Sequence, residues 1–205
     1  MRKSKADTAE TRKRIVEMAS KVFLTQGLAA TGVADIMAAA GLTQGGFYRH
    51  FESKEALIAE ANGVAIDHLF AMFAEETAGL APRAALDLIV TIYLSQLQQE
   101  DAQYLCPLAN LGSELRHADA QIKASAADGY QRLVQLIASK TEPLGIARPL
   151  QIADAIVSTI VGAVTLSKLT LNDAAGDAVL ANAKNTVDML LAASASASAP
   201  VAVAA

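Results

Sequence analysis

Apolar residues recur at helical spacing along most of this 205-residue chain. The first stripe keeps the i, i+3, i+4, i+7, i+8 spacing of one helix face at Ile15, Met18, Ala19, Val22 and Phe23. No stretch of the sequence alternates apolar and polar residues as a half-buried strand does. Much of the 53% hydrophobic content is Ala and only 4% is aromatic, which is typical of helices that pack through small side chains. The pattern predicts an all-α fold.

Capping residues, prolines and glycines divide these stripes into about nine helices. A short helix is predicted over residues 33–40 behind a Thr31 cap, and two helical turns are predicted over residues 44–50. Ser53 is predicted to cap a long helix. Further helices are predicted over residues 82–99, 107–116, 119–140, 150–170 and 173–191. Segment 192–205, rich in Ala, Ser and Val, is predicted to be a disordered tail, with a frayed continuation of the helix at its start left open.

The segment GLTQGGFYRHFESKEAL, residues 41–57, gathers aromatic and basic residues directly after a glycine turn. Phe47 and Phe51 lie at i, i+4 spacing and are predicted to face inward, which leaves Tyr48, Arg49 and His50 to point outward. A phosphate-cradling nucleotide loop would need a preceding strand and a GxGxxG or GxxxxGK[ST] spacing, which this segment lacks. Helix, glycine turn and helix instead indicate a helix-turn-helix.

The second helix of such a motif presents its first residues to the major groove of DNA. Thr43 and Gln44 occupy that position, and Gln44 is the predicted base reader because an amide can bond adenine N6 and N7 together. Gly45 and Gly46 have no side chains, so the backbone there can approach the duplex closely. These four residues therefore form the predicted leading end of a recognition helix.

The charge distribution also favours a polyanionic partner. Residues 1–54 hold nine Lys or Arg against five Asp or Glu. In the remaining residues Asp and Glu outnumber Lys and Arg, which brings the net charge of the chain to -4. Tyr48, Arg49 and His50 lie in this basic N-terminal region and are predicted DNA contacts. Two alternatives remain open, since His50 could instead pack beneath the helix and Arg49 could pair with an acid of the first helix.

Residues 11–57, TRKRIVEMASKVFLTQGLAATGVADIMAAAGLTQGGFYRHFESKEAL, closely resemble the N-terminal DNA-binding domain of the TetR-type transcriptional regulators. The resemblance rests on the first helix ending in Gly27, the Thr31 cap, the AAGLT turn and the FYRHFESKEAL exit. It implies that Tyr48 and Lys54 contact phosphates. The full predicted DNA-binding set is Thr31, Thr43, Gln44, Gly45, Gly46, Tyr48, Arg49, His50 and Lys54.

The resemblance further implies a homodimer formed by the last two long helices, 150–170 and 173–191, and a helical body with a pocket for a small effector. The expected domains are a three-helix helix-turn-helix domain, 1–53, and an effector-binding and dimerisation domain, 54–191. Residues that could border the pocket, although each equally suits the core or the surface, are Phe70, Phe73, Tyr93, Tyr104 and Cys106.

Several classes of protein are not favoured. The single cysteine, Cys106, excludes an internal disulfide and a cysteine-based zinc site, and neither a metal nor a cofactor is predicted. Cys106 and His117 have no visible third group to orient them, so no enzyme is predicted. No apolar segment follows the basic N-terminus as in a secretory signal, and Asp154 and Ser158 interrupt the longest apolar region. A cytoplasmic location without a membrane span is expected.

The sequence thus predicts a homodimeric regulator that binds double-stranded DNA, most simply a repressor released from an inverted-repeat operator by a small molecule. Activation in place of repression, or a thiol response at Cys106, remains open. A helical protein-interaction module is the alternative outside this class, and it would show no salt-sensitive DNA affinity.

Overall fold

The computed structural model describes residues 5–95 and 105–196, and every regular element in these two ranges is helical. Eight α-helices are joined by a 3₁₀ helix at Gln44–Arg49 and a short 3₁₀ turn at Glu142–Leu144. The α-helices are α1 (Lys5–Gln26), α2 (Val33–Ala39), α3 (Lys54–Glu76), α4 (Pro82–Leu94), α5 (Pro107–Leu115), α6 (Ala120–Thr141), α7 (Pro149–Ser167) and α8 (Asp173–Ser196). The predicted all-α fold of about nine helices is confirmed.

Caps explain several of the helix starts. The Ser53 hydroxyl accepts the Ala56 N–H at 3.1 Å ahead of α3, as predicted, and Asp119 Oδ1 accepts the Ile122 N–H at 2.9 Å ahead of α6. Pro82, Pro107 and Pro149 each occupy a first-turn position, where a missing N–H does no harm.

Two predicted ends differ from the structure. Helix α8 continues past the predicted residue 191 to Ser196, so the start of the tail is helical, the alternative that the sequence left open. The Ala-rich sequence there has high helix propensity. The rest of that tail, 197–205, lies outside the described residues. Helix α4 ends at Leu94, and residues 96–99 of its predicted range also lie outside them.

The chain divides into two compact units. The first comprises Met1–Met72 and Gln99–Gly129, and the second comprises Phe73–Gln98 and Tyr130–Ala205. Helices α3 and α6 contribute residues to both. The domain boundary expected at residue 53 concerns the division of function along the chain, and it stays a prediction.

The core of the first unit is built from α1, α2, the 3₁₀ helix, the first part of α3, and α5. Its side chains come from elements far apart in sequence, and the largest are nearly inaccessible to solvent. They include Ile15, Phe23, Ile36, Phe47, Phe51, Leu57 and Leu111.

In the second unit, α7 and α8 form a helical hairpin against which α4 packs. Arg83 of α4 donates to Asp87 on the same helix and to Asp188 of α8, both at 2.9 Å. These bonds, led by the one to Asp87, raise the pKa of Arg83, and the bond to Asp188 links α4 to α8.

By length and composition alone, α3 and α7 would suffice to cross a bilayer, a property shared by core helices of soluble bundles. Helix α7 is the more exposed of the two, since 39% of its most apolar window is buried within the chain.

Candidate nucleic-acid interface

The segment predicted to be the recognition helix forms a 3₁₀ helix, Gln44–Arg49, instead of two α-helical turns. The Gly46 N–H bonds the Thr43 carbonyl at 3.0 Å, and the His50 N–H bonds the Phe47 carbonyl at 2.9 Å. Two consecutive glycines disfavour the α-helix by about 0.5–1 kcal/mol each, which helps to explain the tighter i→i+3 pattern. Thr43 lies at the N-cap with an extended backbone, but its hydroxyl makes no capping bond.

Two phenylalanines anchor this helix, as predicted. Phe47 is 0% exposed and Phe51 is buried beside it, with ring centroids 5.6 Å apart and planes at 29°. The Tyr48 ring meets the Phe47 ring edge-on at 5.1 Å, yet Tyr48 itself is 77% exposed. The anchors therefore hold the 3₁₀ helix so that its other side faces solvent.

The exposed side carries most of the predicted DNA-binding set. Thr43, Gln44, Gly45, Tyr48 and Arg49 are exposed. A Cβ added to Gly45 would meet no atom within 4 Å, so this backbone is open to an approaching partner.

The remaining members of the set are less accessible. Gly46, His50 and Lys54 are half-buried. A Cβ on Gly46 would lie 3.5 Å from the methyl carbon of Met37, so this glycine faces α2 and serves packing between the two helices.

Thr31 does not belong to the exposed surface. It is 1% exposed, and its hydroxyl donates to the Gly27 carbonyl at 2.7 Å. The N-cap of α2 is Gly32, whose N–H bonds Asp35 Oδ2 at 2.8 Å. The prediction that Thr31 caps α2 was therefore wrong, and its buried side chain is removed from the residues proposed to reach DNA.

Arg12 of α1 fixes the far end of the 3₁₀ helix. Its guanidinium forms a two-pronged ion pair with Glu60 of α3, in which Nη1 lies 2.6 Å from Oε2. Its Nε donates to the His50 carbonyl at 3.3 Å, and the group lies 4.6 Å above the Phe51 ring. The hydrogen bond to Glu60 raises the pKa of Arg12. Arg12 is thus engaged within the protein and orients the recognition segment.

The loop after α1 is held from two sides. Lys54 Nζ donates to the Leu28 carbonyl at 2.7 Å, which leaves two of its three ammonium donors for another partner. The Glu114 carboxylate of α5 accepts the N–H groups of Leu28 at 3.1 Å and Ala29 at 2.7 Å. Gly27, at φ +87°, makes room for this contact, because a Cβ there would lie 2.8 Å from Glu114 Oε1.

Neither the role of Glu114 nor the pairing of Arg12 with Glu60 was predictable from the sequence. The partners are 85 and 48 residues apart, and no local pattern links them. For the loop after α1, the one local signal was Gly27, because a glycine at the end of a helix predicts a left-handed turn there.

The residues predicted to border an effector pocket are distributed over both units. Phe70 and Cys106 belong to the first unit, Phe73 and Tyr93 belong to the second, and Tyr104 lies outside the described residues. Phe73, Tyr93 and Cys106 are buried and Phe70 is half-buried. The pocket stays a prediction.

Comparison with known proteins bears directly on this arrangement. The family described as "Bacterial regulatory proteins, tetR family" matches residues 15–61. The family "Transcriptional regulator LmrA/YxaF-like, C-terminal domain" matches residues 82–182. The chain belongs to the TetR family. Its α1, α2 and 3₁₀ helix form the three-helix helix-turn-helix domain expected of that family.

Curated relatives match this TetR-family chain over less than half of its length. The HTH-type transcriptional repressor KstR2 of Rhodococcus jostii strain RHA1 is 41% identical over 81 residues, which cover 39% of this chain and 40% of the repressor. The HTH-type transcriptional regulator AcrR of Shigella flexneri is 41% identical over 59 residues, 29% of this chain and 27% of the regulator. The alignments thus span well under half of these relatives.

Solved structures match over nearly the whole chain. A TetR transcriptional regulator from Chloroflexus aurantiacus J-10-FL has a TM-score of 0.72 at 26% identity, covering 89% of this chain and 96% of that one. Reduced E. coli NemR has a TM-score of 0.73 at 19% identity, covering 86% and 96%, and this likeness concerns the fold alone.

Proposed function

We propose that this TetR-family protein is a sequence-specific DNA-binding transcriptional regulator, a homodimeric repressor that a small-molecule effector releases from an inverted-repeat operator. The observation that carries the proposal is the 3₁₀ helix, whose phenylalanines are buried while Gln44, Tyr48 and Arg49 face solvent. The curated relatives KstR2 and AcrR are named as a transcriptional repressor and a transcriptional regulator, which supports it. We further propose that this regulator acts in the cytoplasm, catalyses no reaction and needs no cofactor.

Each exposed residue has a role in the proposed complex. Thr43, Gln44 and Gly45 enter the major groove, where the Gln44 amide bonds adenine. Tyr48 and Lys54 contact phosphates, Tyr48 through its hydroxyl and Lys54 through the ammonium donors that the Leu28 carbonyl leaves available. Arg49 and His50 complete the contact surface.

The proposed dimer forms through α7 and α8. A stripe of incompletely buried, mostly apolar or small residues runs along α7 with the alternating spacing of three and four that helix–helix packing requires. Its members are Ile152, Ala155, Thr159, Gly162 and Leu166. The Thr159 hydroxyl donates to the Ala155 carbonyl at 2.8 Å, so it needs no partner from a second subunit. A Cβ on Gly162 would meet nothing within 4 Å, which leaves space for a neighbouring helix.

Helix α8 carries a stripe of the same spacing. Its members are Ala175, Val179, Asn182, Thr186, Met189 and Ala193. Met189 is among the large apolar side chains that the single chain leaves exposed. Pairing α7 and α8 with their copies in a second subunit would bury both stripes.

The proposed release from DNA works through α3. This helix begins next to the 3₁₀ helix, at Lys54, and continues into the second unit, so a tilt of α3 caused by an effector would shift the recognition surface. Two recognition helices must meet half-sites about 34–36 Å apart, or a multiple of that distance. A coupling free energy of about 1–3 kcal/mol would change DNA affinity roughly 5- to 150-fold, which suffices for a switch. The residues of the effector pocket stay those predicted from the sequence.

Two substitutions on the exposed side of the 3₁₀ helix test the proposed contacts. Gln44→Ala should remove discrimination of about 1–3 kcal/mol at one base pair in each half-site. Tyr48→Phe keeps the ring on Phe47 but loses the hydroxyl, so it should weaken binding to every sequence by roughly tenfold. Gel shifts on an operator and on its single-base variants, at several salt concentrations, measure both effects.

A matched control is Glu75→Gln, which changes one side chain in α3 far along the sequence from the 3₁₀ helix and should bind DNA like the parent. If Gln44→Ala and Tyr48→Phe also behave like the parent, the proposed contacts are wrong.

A further inference from the structure

A narrow cavity lies in the first unit among α1, α3 and α5. The volume that the centre of a water-sized sphere can occupy is about 10 Å³, close to the minimum that one water molecule needs. Its walls are apolar except for two side chains, Ser20 of α1 and Asn62 of α3, and none of the described residues that line it is charged. The space is too small for an organic ligand.

The orientation of the Asn62 amide follows from its neighbours. Ser125 Oγ donates its proton to the Ala59 carbonyl at 3.1 Å, so the same oxygen can only accept from Asn62. The group 2.8 Å away must therefore be the Asn62 amide nitrogen, as the structure has it. The amide oxygen, Oδ1, is left to find a donor elsewhere.

Ser20 and Asn62 are both well over nine-tenths buried, at 2% and 4% exposed. Within residues 5–95 and 105–196, neither Ser20 Oγ nor Asn62 Oδ1 has a hydrogen-bond partner in the protein. A buried polar atom without a partner is strongly unfavourable, and most such atoms in folded proteins are paired with protein or ordered water.

We infer that the cavity is a binding site for one internal water molecule. This water donates a proton to Asn62 Oδ1 and accepts the hydroxyl proton of Ser20, so each of the two buried atoms gains a partner. It thereby joins α1, which packs under the recognition segment, to α3, which follows that segment in the chain. The site is independent of DNA and of any effector.

A high-resolution crystal structure of the full chain tests the site directly. The expected result is an ordered water about 2.7–3.2 Å from both Ser20 Oγ and Asn62 Oδ1. Side chains turned to bond other protein groups, or a cavity without water density, would overturn the inference.

A double-mutant cycle provides a second test in solution. Ser20→Ala and Asn62→Leu should each lower the melting temperature by about 2–4 °C or more, because each leaves the other polar atom buried with fewer partners. The Ser20→Ala/Asn62→Leu double variant should be less destabilised than the two single effects combined, since no polar atom then requires the water.

Ser125→Ala is the matched control for this cycle. It breaks the Asn62–Ser125 bond without touching the cavity, so it reports how much of the Asn62→Leu effect arises from that bond. If the Ser20→Ala and Asn62→Leu effects are strictly additive, no shared water links the two side chains.

Discussion

Replacing Phe47 with Ala is expected to destabilise the first unit by about 3–5 kcal/mol and to abolish the proposed operator binding. Phe47 is 0% exposed, stacks on Phe51 and supports the ring of Tyr48. Its loss would leave a cavity under a short 3₁₀ helix that contains two glycines and has little stability of its own. Thermal melting followed by circular dichroism, together with a gel shift at a temperature where the variant is folded, measures both effects.

Two control variants separate anchoring from contact. Phe47→Leu keeps most of the buried volume and should retain much of the stability and the DNA affinity. Tyr48→Ala, at an exposed position, should melt close to the parent while binding DNA less tightly. If the Phe47→Ala variant has the melting temperature and the DNA affinity of the parent, this side chain does not anchor the recognition segment.

Introducing a carboxylate at Gly162 is expected to give a folded monomer with greatly reduced operator affinity. The site lies on the α7 stripe, and a Cβ there meets nothing within 4 Å in the chain itself, so Gly162→Glu has room in the monomer. In the proposed dimer, the same side chain would be buried without a cation at the interface. Two linked helix-turn-helix domains bind DNA far more tightly than one, so separating them should lower operator affinity by about 10²- to 10⁴-fold.

Light scattering gives the molecular mass of the variant, and gel shifts give its affinity. Gly162→Ala tests the same position without charge and should leave the dimer intact. Gly112→Glu places the same charge at another helical glycine with open space, on α5, and should remain dimeric. A Gly162→Glu protein that stays dimeric would move the interface away from this face of α7.

Local chemistry explains why much of the fold could be predicted from sequence. The Ser53 and Asp119 caps, the prolines that open α4 and α5, and the i, i+4 phenylalanines each act within a few residues. Propensity also accounts for a miss, because Gly45 and Gly46 make the recognition segment 3₁₀ where α-helical turns were expected.

Contacts between distant residues could not be predicted in this way. The loop after α1 is held by Glu114 of α5, and the recognition segment is held by Arg12 paired with Glu60. The sequence indicated an excess of basic residues over positions 1–54 but not which of them bonds within the protein. Thr31 was misassigned for a related reason, since its hydroxyl can serve either a cap or a nearby carbonyl, and burial selects the carbonyl of Gly27.

In the proposed complex, the leading end of the 3₁₀ helix enters the major groove of DNA. Methylation protection on a genomic fragment selected by the protein tests it most directly, because guanine N7 lies in the major groove and adenine N3 in the minor groove. We expect protection of guanine N7 in two symmetric half-sites, with centres about 34–36 Å apart or a multiple of that distance, and little protection of adenine N3. Protection confined to adenine N3, or a fragment on which no half-site symmetry appears, would contradict it.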